Sequence, residues 1–117
     1  MLAQQKPLET AVRQQDSVAI IDLRGEIDSL AEDELRQAYQ SAAEMKPAFI
    51  LLNFADVNYI NSTGIALIVG LLAMARKSHI QILTCGLSDH YKEIFQITRL
   101  SDFMAMYNDE KDALASV

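Results

Sequence analysis

The sequence predicts an α/β fold: a single domain in which a mixed, mostly parallel sheet of four to five strands carries helices packed on it. Short runs of β-branched and apolar residues alternate with segments whose apolar residues recur at helical spacing. Residues 48–54 are apolar almost throughout, as expected for a strand that helices cover on both faces. The 117 residues fit one domain spanning 1–117, and a hydrophobic content of 50% suffices for a packed core.

The beginning of the chain predicts a β-hairpin. Residues 1–8 are expected to form a flexible start, and residues 10–15 an edge strand. Asp16 and Ser17 supply turn chemistry before residues 18–23, a β-branched run with strand character.

A helix is expected after the Gly-Glu-Ile-Asp segment 25–28, which ends the second strand. Residues 29–32 match a capping box, in which the side chains of Ser29 and Glu32 each accept a hydrogen bond from the other's backbone N–H. Pro47 stops the helix. The apolar residues of this helix share one face, which is expected to pack on the sheet. They are Ala31, Leu35, Ala38, Ala42 and Met45.

The most informative stretch precedes residues 65–75, an uncharged segment that predicts a buried helix. Asn61, Ser62, Thr63 and Gly64 form a small, polar junction between the strand region and this helix. Such a junction exposes unpaired N–H groups and the positive end of the helix dipole. We therefore expect a hydroxyl here that caps the helix, binds an anion or accepts a phosphate.

The rest of the chain predicts strands at residues 79–84 and 103–107, with a helix between them capped by Ser88 or Asp89. Residues 109–117 are expected to form a terminal tail or short helix. The order β-β-α-β-α-β-α-β predicts right-handed crossovers and sites at the carboxyl ends of the strands. One face of the third helix carries Tyr91, Ile94, Phe95 and Thr98.

The charge pattern excludes some partners. A net charge of -6 without any Lys or Arg cluster argues against nucleic acid or an anionic membrane surface as the main partner. The apolar run 65–75 is too short to insert in a membrane, and the polar first residues do not resemble a signal peptide. The single cysteine, Cys85, suits a reducing compartment, so we expect a cytoplasmic protein.

Ser62 has two compatible interpretations. It can cap the helix, or it can accept a phosphate, since phosphate at the first turn of a helix meets free N–H groups and a favourable dipole. Thr63 is the competing hydroxyl. Phosphorylation would add negative charge to an otherwise apolar patch without unfolding the domain.

Catalytic and metal-binding roles have less support. The sequence lacks the Gly-x-Ser-x-Gly elbow of a hydrolase, and nothing ties His79 or His90 to Ser62. The histidines and Cys85 do not have metal-ligand spacing. We predict no enzyme activity, no metal and no cofactor. Four aspartates without a metal-binding motif are interpreted as solvated loop residues: Asp22, Asp28, Asp56 and Asp89.

The segment 60–65, Ile-Asn-Ser-Thr-Gly-Ile, resembles the signature of the STAS domain family, whose best-known members are bacterial anti-sigma factor antagonists. In that family a strand ends in an Asp-Ser-(Ser/Thr)-Gly turn that opens an apolar helix. Residues 25–28 resemble the family's Gly-Glu-Leu-Asp turn, and residues 50–57 its Leu-Asp-Leu segment. Residues 86–88 and 94–100 resemble its third-helix region, so the resemblance spans nearly the whole chain.

The resemblance implies a function in transcription regulation. An antagonist of this kind binds an anti-sigma factor that is also a serine kinase and thereby frees the sigma factor. Phosphorylation of the antagonist blocks rebinding, and a PP2C-type phosphatase reverses it. Transferred to this chain, the phosphoacceptor is Ser62, and the partner surface comprises Asp28, Asn61, Ser62, Thr63, Gly64 and Ile65.

Two positions depart from the family pattern: Asn61 stands where aspartate is usual, and Asn53 replaces another common aspartate. Losing a carboxylate beside Ser62 removes local negative charge, although asparagine preserves the shape. Two alternatives therefore stay open. In the first alternative, the domain is an unphosphorylated scaffold subunit, for example of a lipid-transport ABC complex. In the second, it is a ligand-sensing STAS module.

Overall fold

A computed structural model describes residues 6–117, which form a five-stranded mixed sheet and four α-helices. One short 3-10 turn, Ser29–Ala31, precedes the first α-helix, and another, Leu100–Asp102, follows the third. The strands and helices, in chain order, are β1 Glu9–Gln15, β2 Val18–Ile27, α1 Glu32–Glu44, β3 Phe49–Ile60, α2 Ser62–Lys77, β4 Gln81–Cys85, α3 Asp89–Ile97, β5 Met104–Tyr107 and α4 Glu110–Ala115.

The strands lie in the order β1-β2-β3-β4-β5, so every strand pairs with its neighbours in the chain. The β1–β2 hairpin is antiparallel, and the other three pairings are parallel. The predicted mixed, mostly parallel sheet is thus confirmed, with five strands. A helix crosses over between each parallel pair, because parallel neighbours cannot be joined by a tight turn.

Two hydrophobic clusters lie on opposite faces of the sheet. The larger includes Ile21, Ile50 and Phe54 of the strands together with the inner sides of α1, α2 and α3. The smaller cluster includes Ile20 and the short helix α4. The helix predicted as possible for the C-terminal residues does form, and it covers this second face.

The described part of the predicted flexible start is in contact with the domain. Leu8 is only 7% exposed and belongs to the larger core cluster. The backbone carbonyl of Lys6 accepts a hydrogen bond of 2.9 Å from the N–H of Glu26. Residues 6–8 therefore pack against β2, contrary to the prediction, whereas residues 1–5 of that stretch lie outside the described part of the chain.

The start of α1 differs from the predicted capping box. The Asp28 carboxylate accepts a hydrogen bond of 3.0 Å from the Leu30 N–H and caps the 3-10 turn that precedes the helix. Helix α1 itself begins at Glu32 without a side-chain cap. Glu32 instead forms an ion pair with Arg36, at 2.7 Å. The prediction for Ser29 is wrong because Asp28, one residue earlier, is already placed to cap the chain.

Strands β2 and β3 are both longer than predicted. Residues 24–27 of β2 pair with residues 56–60 of β3, with two register shifts along the way. Segment 25–28 therefore does not end the strand as predicted, and β2 continues to Ile27. The two strands extend beyond β4, whose pairing with β3 stops at Asn53 and Cys85.

Candidate functional site

The carboxyl ends of β2 and β3 are in direct backbone contact. The Asn61 N–H donates a hydrogen bond of 3.2 Å to the Ile27 carbonyl oxygen. A Cβ atom added to Gly64 would lie only 2.1 Å from the same oxygen, a distance that excludes any side chain larger than hydrogen. Glycine thus lets the first turn of α2 rest on the end of β2, which places the Asp28 loop beside the junction.

Asn61, not Ser62, caps α2. Its backbone is extended, and its Oδ1 accepts a hydrogen bond of 2.8 Å from the Gly64 N–H. Its backbone carbonyl accepts the first helical hydrogen bond, from the Ile65 N–H at 2.9 Å. Asparagine is a good helix cap, and Ser62 is already the first helical residue. The interpretation of Ser62 as the N-cap is therefore wrong.

The capping role of Asn61 leaves the Ser62 hydroxyl exposed, without a hydrogen-bond partner among residues 6–117. Thr63 is exposed as well. Because the first amides of a helix lack partners within it, the N–H groups of Ser62 and Thr63 make no hydrogen bond within α2. The first turn of α2 contains no acidic residue, so the helix dipole favours an anion at this position.

The outer side of α2 presents several small exposed residues. Val69 is 46% exposed, and Ala66 and Gly70 are also exposed. Ile65, predicted to contact a partner, is half-buried and packs against the core. The inner side of the helix is buried and includes Gly64, Ile68, Leu71 and Ala75.

Leu30 is a candidate that the sequence analysis missed. It is 73% exposed on the 3-10 turn, which packs against the beginning of α2. An apolar residue two positions after Asp28 is the available signal, but the capping-box pattern predicts that it lies in the first turn of a helix. We call the exposed set Leu30, Ser62, Thr63, Ala66 and Val69 the junction surface.

The second unusual asparagine, Asn53, belongs to a polar network on the opposite face of the sheet. Its Nδ2 donates to Asp22 Oδ1 at 2.9 Å, and its Oδ1 accepts from the Ala55 N–H at 3.1 Å. An aspartate there would repel Asp22, whereas the asparagine donates to it. Asn53 therefore suits its neighbour in this chain and lies away from Ser62.

Arg13 completes the network by pairing with both Asp22, at 2.7 Å, and Glu110 of α4. Hydrogen bonding to Arg13 holds the pKa of the Asp22 carboxyl below its usual range, and the bond from Asn53 acts in the same direction. The same contacts raise the pKa of the Arg13 guanidinium. We interpret this network as structural, since it joins β1, β2, β3 and α4.

The other sequence candidates lie apart from this junction or have structural roles. His79 follows the far end of α2, about 24 Å from Ser62 at 1.5 Å per helical residue. His90 is exposed on α3, with its ring 4.9 Å from that of Tyr91. Burial raises the pKa of the Cys85 thiol to about 11. Within residues 6–117, no three His, Cys, Asp or Glu side chains are grouped to hold a metal ion.

Within the described residues the Ser62 hydroxyl is exposed and makes no hydrogen bond to a base that could activate it. Comparison with known proteins identifies the family of the chain. A model of the STAS domain matches residues 9–113, which include all five strands. The chain therefore belongs to the STAS domain family.

Individual relatives come from several bacteria. Over 103 residues the chain is 28% identical to an anti-sigma-B factor antagonist of Listeria monocytogenes, covering 88% of this chain and 90% of that protein. The crystal structure of an anti-sigma factor antagonist from Mycobacterium paratuberculosis has a TM-score of 0.83 at 21% identity, covering 99% and 98% of the two chains. The phosphorylated form of the Bacillus cell fate determinant SpoIIAA has a TM-score of 0.69 at 20% identity, covering 92% and 98%.

Among residues 6–117, no α-helix combines the length and the hydropathy that crossing a membrane requires. Helix α2, the most apolar, has 16 residues and ends in Arg76 and Lys77.

Proposed function

We propose that this protein is an anti-sigma factor antagonist that binds a serine-kinase anti-sigma factor, releases the sigma factor, and is switched off by phosphorylation of Ser62. The observation that carries the proposal is the division of roles at the junction. Asn61 caps α2, which leaves the neighbouring Ser62 hydroxyl exposed beside two N–H groups without helical partners. The relatives named anti-sigma factor antagonists support the same function.

A phosphate on Ser62 would be tolerated by the fold. The N–H groups of Ser62 and Thr63 and the helix dipole would stabilise it, and Ser62 is exposed. The Bacillus cell fate determinant SpoIIAA, which has the same fold, has a known structure in its phosphorylated form. In our proposal, phosphorylation therefore changes the surface of this domain and leaves its core intact.

The same phosphate would oppose binding. It adds about -1.5 to -2 charge units to the junction surface, which also carries three exposed apolar residues, Leu30, Ala66 and Val69. A partner that covers this surface would have to bury the phosphate, which costs free energy unless matching cations are present. In our proposal the kinase binds the unmodified surface, transfers phosphate and dissociates, and a PP2C-type phosphatase restores the binding form.

Asparagine at position 61 is compatible with this switch. Its Oδ1 makes the capping bond that an aspartate carboxylate would make in the same place. Because the amide is neutral, it does not repel a phosphate on the next residue. The other residues proposed for the partner surface act from fixed positions: Asp28 shapes the adjacent turn, and Gly64 holds α2 against β2.

Pull-down experiments with immobilised variants test this proposal. Wild type and Ser62→Ala should retain a serine kinase from a lysate of the native cells, and Ser62→Asp should fail to retain it. Gln40→Asp is the matched control, because Gln40 is exposed on α1 outside the junction surface, and this variant should retain the kinase as wild type does. If Ser62→Asp retains the kinase as well as wild type, charge gating is wrong. If an ATPase co-purifies stably instead, the protein is a scaffold subunit of a transport complex.

A further inference from the structure

Within residues 6–117, the end of β3 has no strand partner on the side of β4. The β3–β4 pairing stops at Asn53 and Cys85, whereas β3 continues to Ile60. On its other side this extension pairs with β2, as far as Ile27 opposite Ile60. Within residues 6–117, the backbone groups of residues 54–60 on this side therefore bond to other elements or face solvent.

Helix α3 and the loop before it lie along this side of the extended strand. A Cβ added to Gly86 would lie 2.6 Å from the Ala55 nitrogen, so this loop lies directly against the extended strand. Phe95 of α3 packs edge-to-face on Phe54, with ring centroids 5.9 Å apart. At the far end, the Tyr91 hydroxyl accepts a hydrogen bond of 2.9 Å from the Ile60 N–H.

Of these three contacts, the hydrogen bond between Tyr91 and Ile60 lies nearest to the junction. Ile60 is 5% exposed and directly precedes Asn61, the residue that caps α2. The backbone of Tyr91 lies in the first turn of α3, where its N–H donates a hydrogen bond of 3.3 Å to the capping hydroxyl of Ser88. The phenol oxygen of Tyr91 thus connects the start of α3 to Ile60, two residues before Ser62.

We infer that Tyr91 is a positioning residue for Ser62: its hydroxyl holds Ile60 so that Asn61 caps α2 and Ser62 is presented in one orientation. The inference rests on the proposed phosphorylation of Ser62. Phosphoryl transfer depends strongly on the placement of the accepting oxygen, whereas binding uses the whole junction surface. Loss of the Tyr91 hydroxyl should therefore slow the transfer more than it weakens binding.

The variant is Tyr91→Phe, which removes one oxygen and keeps the ring. Tyr59→Phe is the matched control, because Tyr59 is 49% exposed and its hydroxyl makes no hydrogen bond to the described residues. Amide hydrogen exchange followed by NMR provides a measurement that requires no kinase. In Tyr91→Phe the Ile60 amide should exchange about tenfold faster, since the variant leaves this N–H without its acceptor.

The pattern of exchange separates a local effect from a general one. The Gly64 amide, which reports on the Asn61 cap, should also exchange faster in Tyr91→Phe, and the Ile50 amide in the sheet centre should not change. Tyr59→Phe should match wild type at all three amides. Unchanged exchange at Ile60 in Tyr91→Phe, or equal acceleration at Ile50, would overturn the positioning role.

A kinetic measurement connects the contact to the switch. With the kinase retained by wild type, Tyr91→Phe should lower kcat for phosphorylation about tenfold and leave KM within twofold of the control. An unchanged kcat, or a rise in KM alone, would contradict the inference. If wild type is never phosphorylated, the proposed function fails. The exchange data then still decide whether Tyr91 fixes the end of β3.

Discussion

Replacing Gly64 with alanine tests how the junction is built. An added Cβ would lie 2.1 Å from the Ile27 carbonyl oxygen and 2.8 Å from its carbon. Both are backbone atoms of a buried strand end, so neither can turn away as a flexible side chain could. The first turn of α2 would have to move away from β2 by more than 1 Å to reach an ordinary contact distance of at least 3.4 Å.

The magnitude follows from three contributions. Overpacking costs about 1–3 kcal/mol, and weakening the bond between Asn61 and Ile27 costs about 1 kcal/mol. The higher helix propensity of alanine offsets about 1 kcal/mol of this loss of stability. We therefore expect Gly64→Ala to lower the free energy of unfolding by about 1–3 kcal/mol.

Gly70 provides the matched control on the same helix. A Cβ added there meets no atom within 4 Å, so Gly70→Ala gains helix propensity without a clash. It should raise the free energy of unfolding by about 0.5–1 kcal/mol. Urea denaturation followed by circular dichroism measures both variants. Equal stability of Gly64→Ala and Gly70→Ala would refute the close approach of α2 to β2.

Three further predictions use the same kind of measurement. Asn61→Ala should lower the free energy of unfolding by about 1 kcal/mol, because the helix cap is lost. Asn61→Asp, which keeps a capping oxygen, should be as stable as wild type. Equal urea midpoints for wild type and both variants would contradict the capping role. Leu30→Ser should weaken kinase binding without changing the urea midpoint, and unchanged binding would remove Leu30 from the partner surface. Because the folded-state pKa of Asp22 is lowered, its stabilising effect is present above its unfolded pKa of about 3.9 and is lost as the pH falls towards the folded value. Arg13→Gln should therefore lower the urea midpoint at pH 7 and do so less at pH 3, and an equal loss at both pH values would contradict the contribution of this pair.

Much of the fold was predictable because its signals are local. Spacing and residue type predict the apolar strand 48–54, the inner face of α1 and the Ser88 cap of α3. The structure confirms all three. Residues 55–60 carried no strand signal, since Asp56 and Asn58 are typical of loops. They are extended because residues 24–27 pair with them, and that pairing is set by the tertiary fold.

The candidate site shows the same limit on a smaller scale. Asn61 and Ser62 are adjacent, and both are good helix caps, so residue type alone could not choose between them. The bond from the Asn61 N–H to Ile27 and the fit of Gly64 on the same carbonyl determine where α2 begins. Leu30 was missed for a related reason, because the 3-10 turn that exposes it depends on the Asp28 cap.

Phosphopeptide analysis of the protein isolated from its native cells, together with its intact mass, tests the central claim most directly. Ser62 and Thr63 are adjacent and both exposed, so fragment ions that separate the two residues are required. We predict a single phosphate, confined to Ser62, on a fraction of the molecules that changes between growth and stress. A phosphate on Thr63 alone, or none under either condition, would contradict the switch and favour an unphosphorylated scaffold.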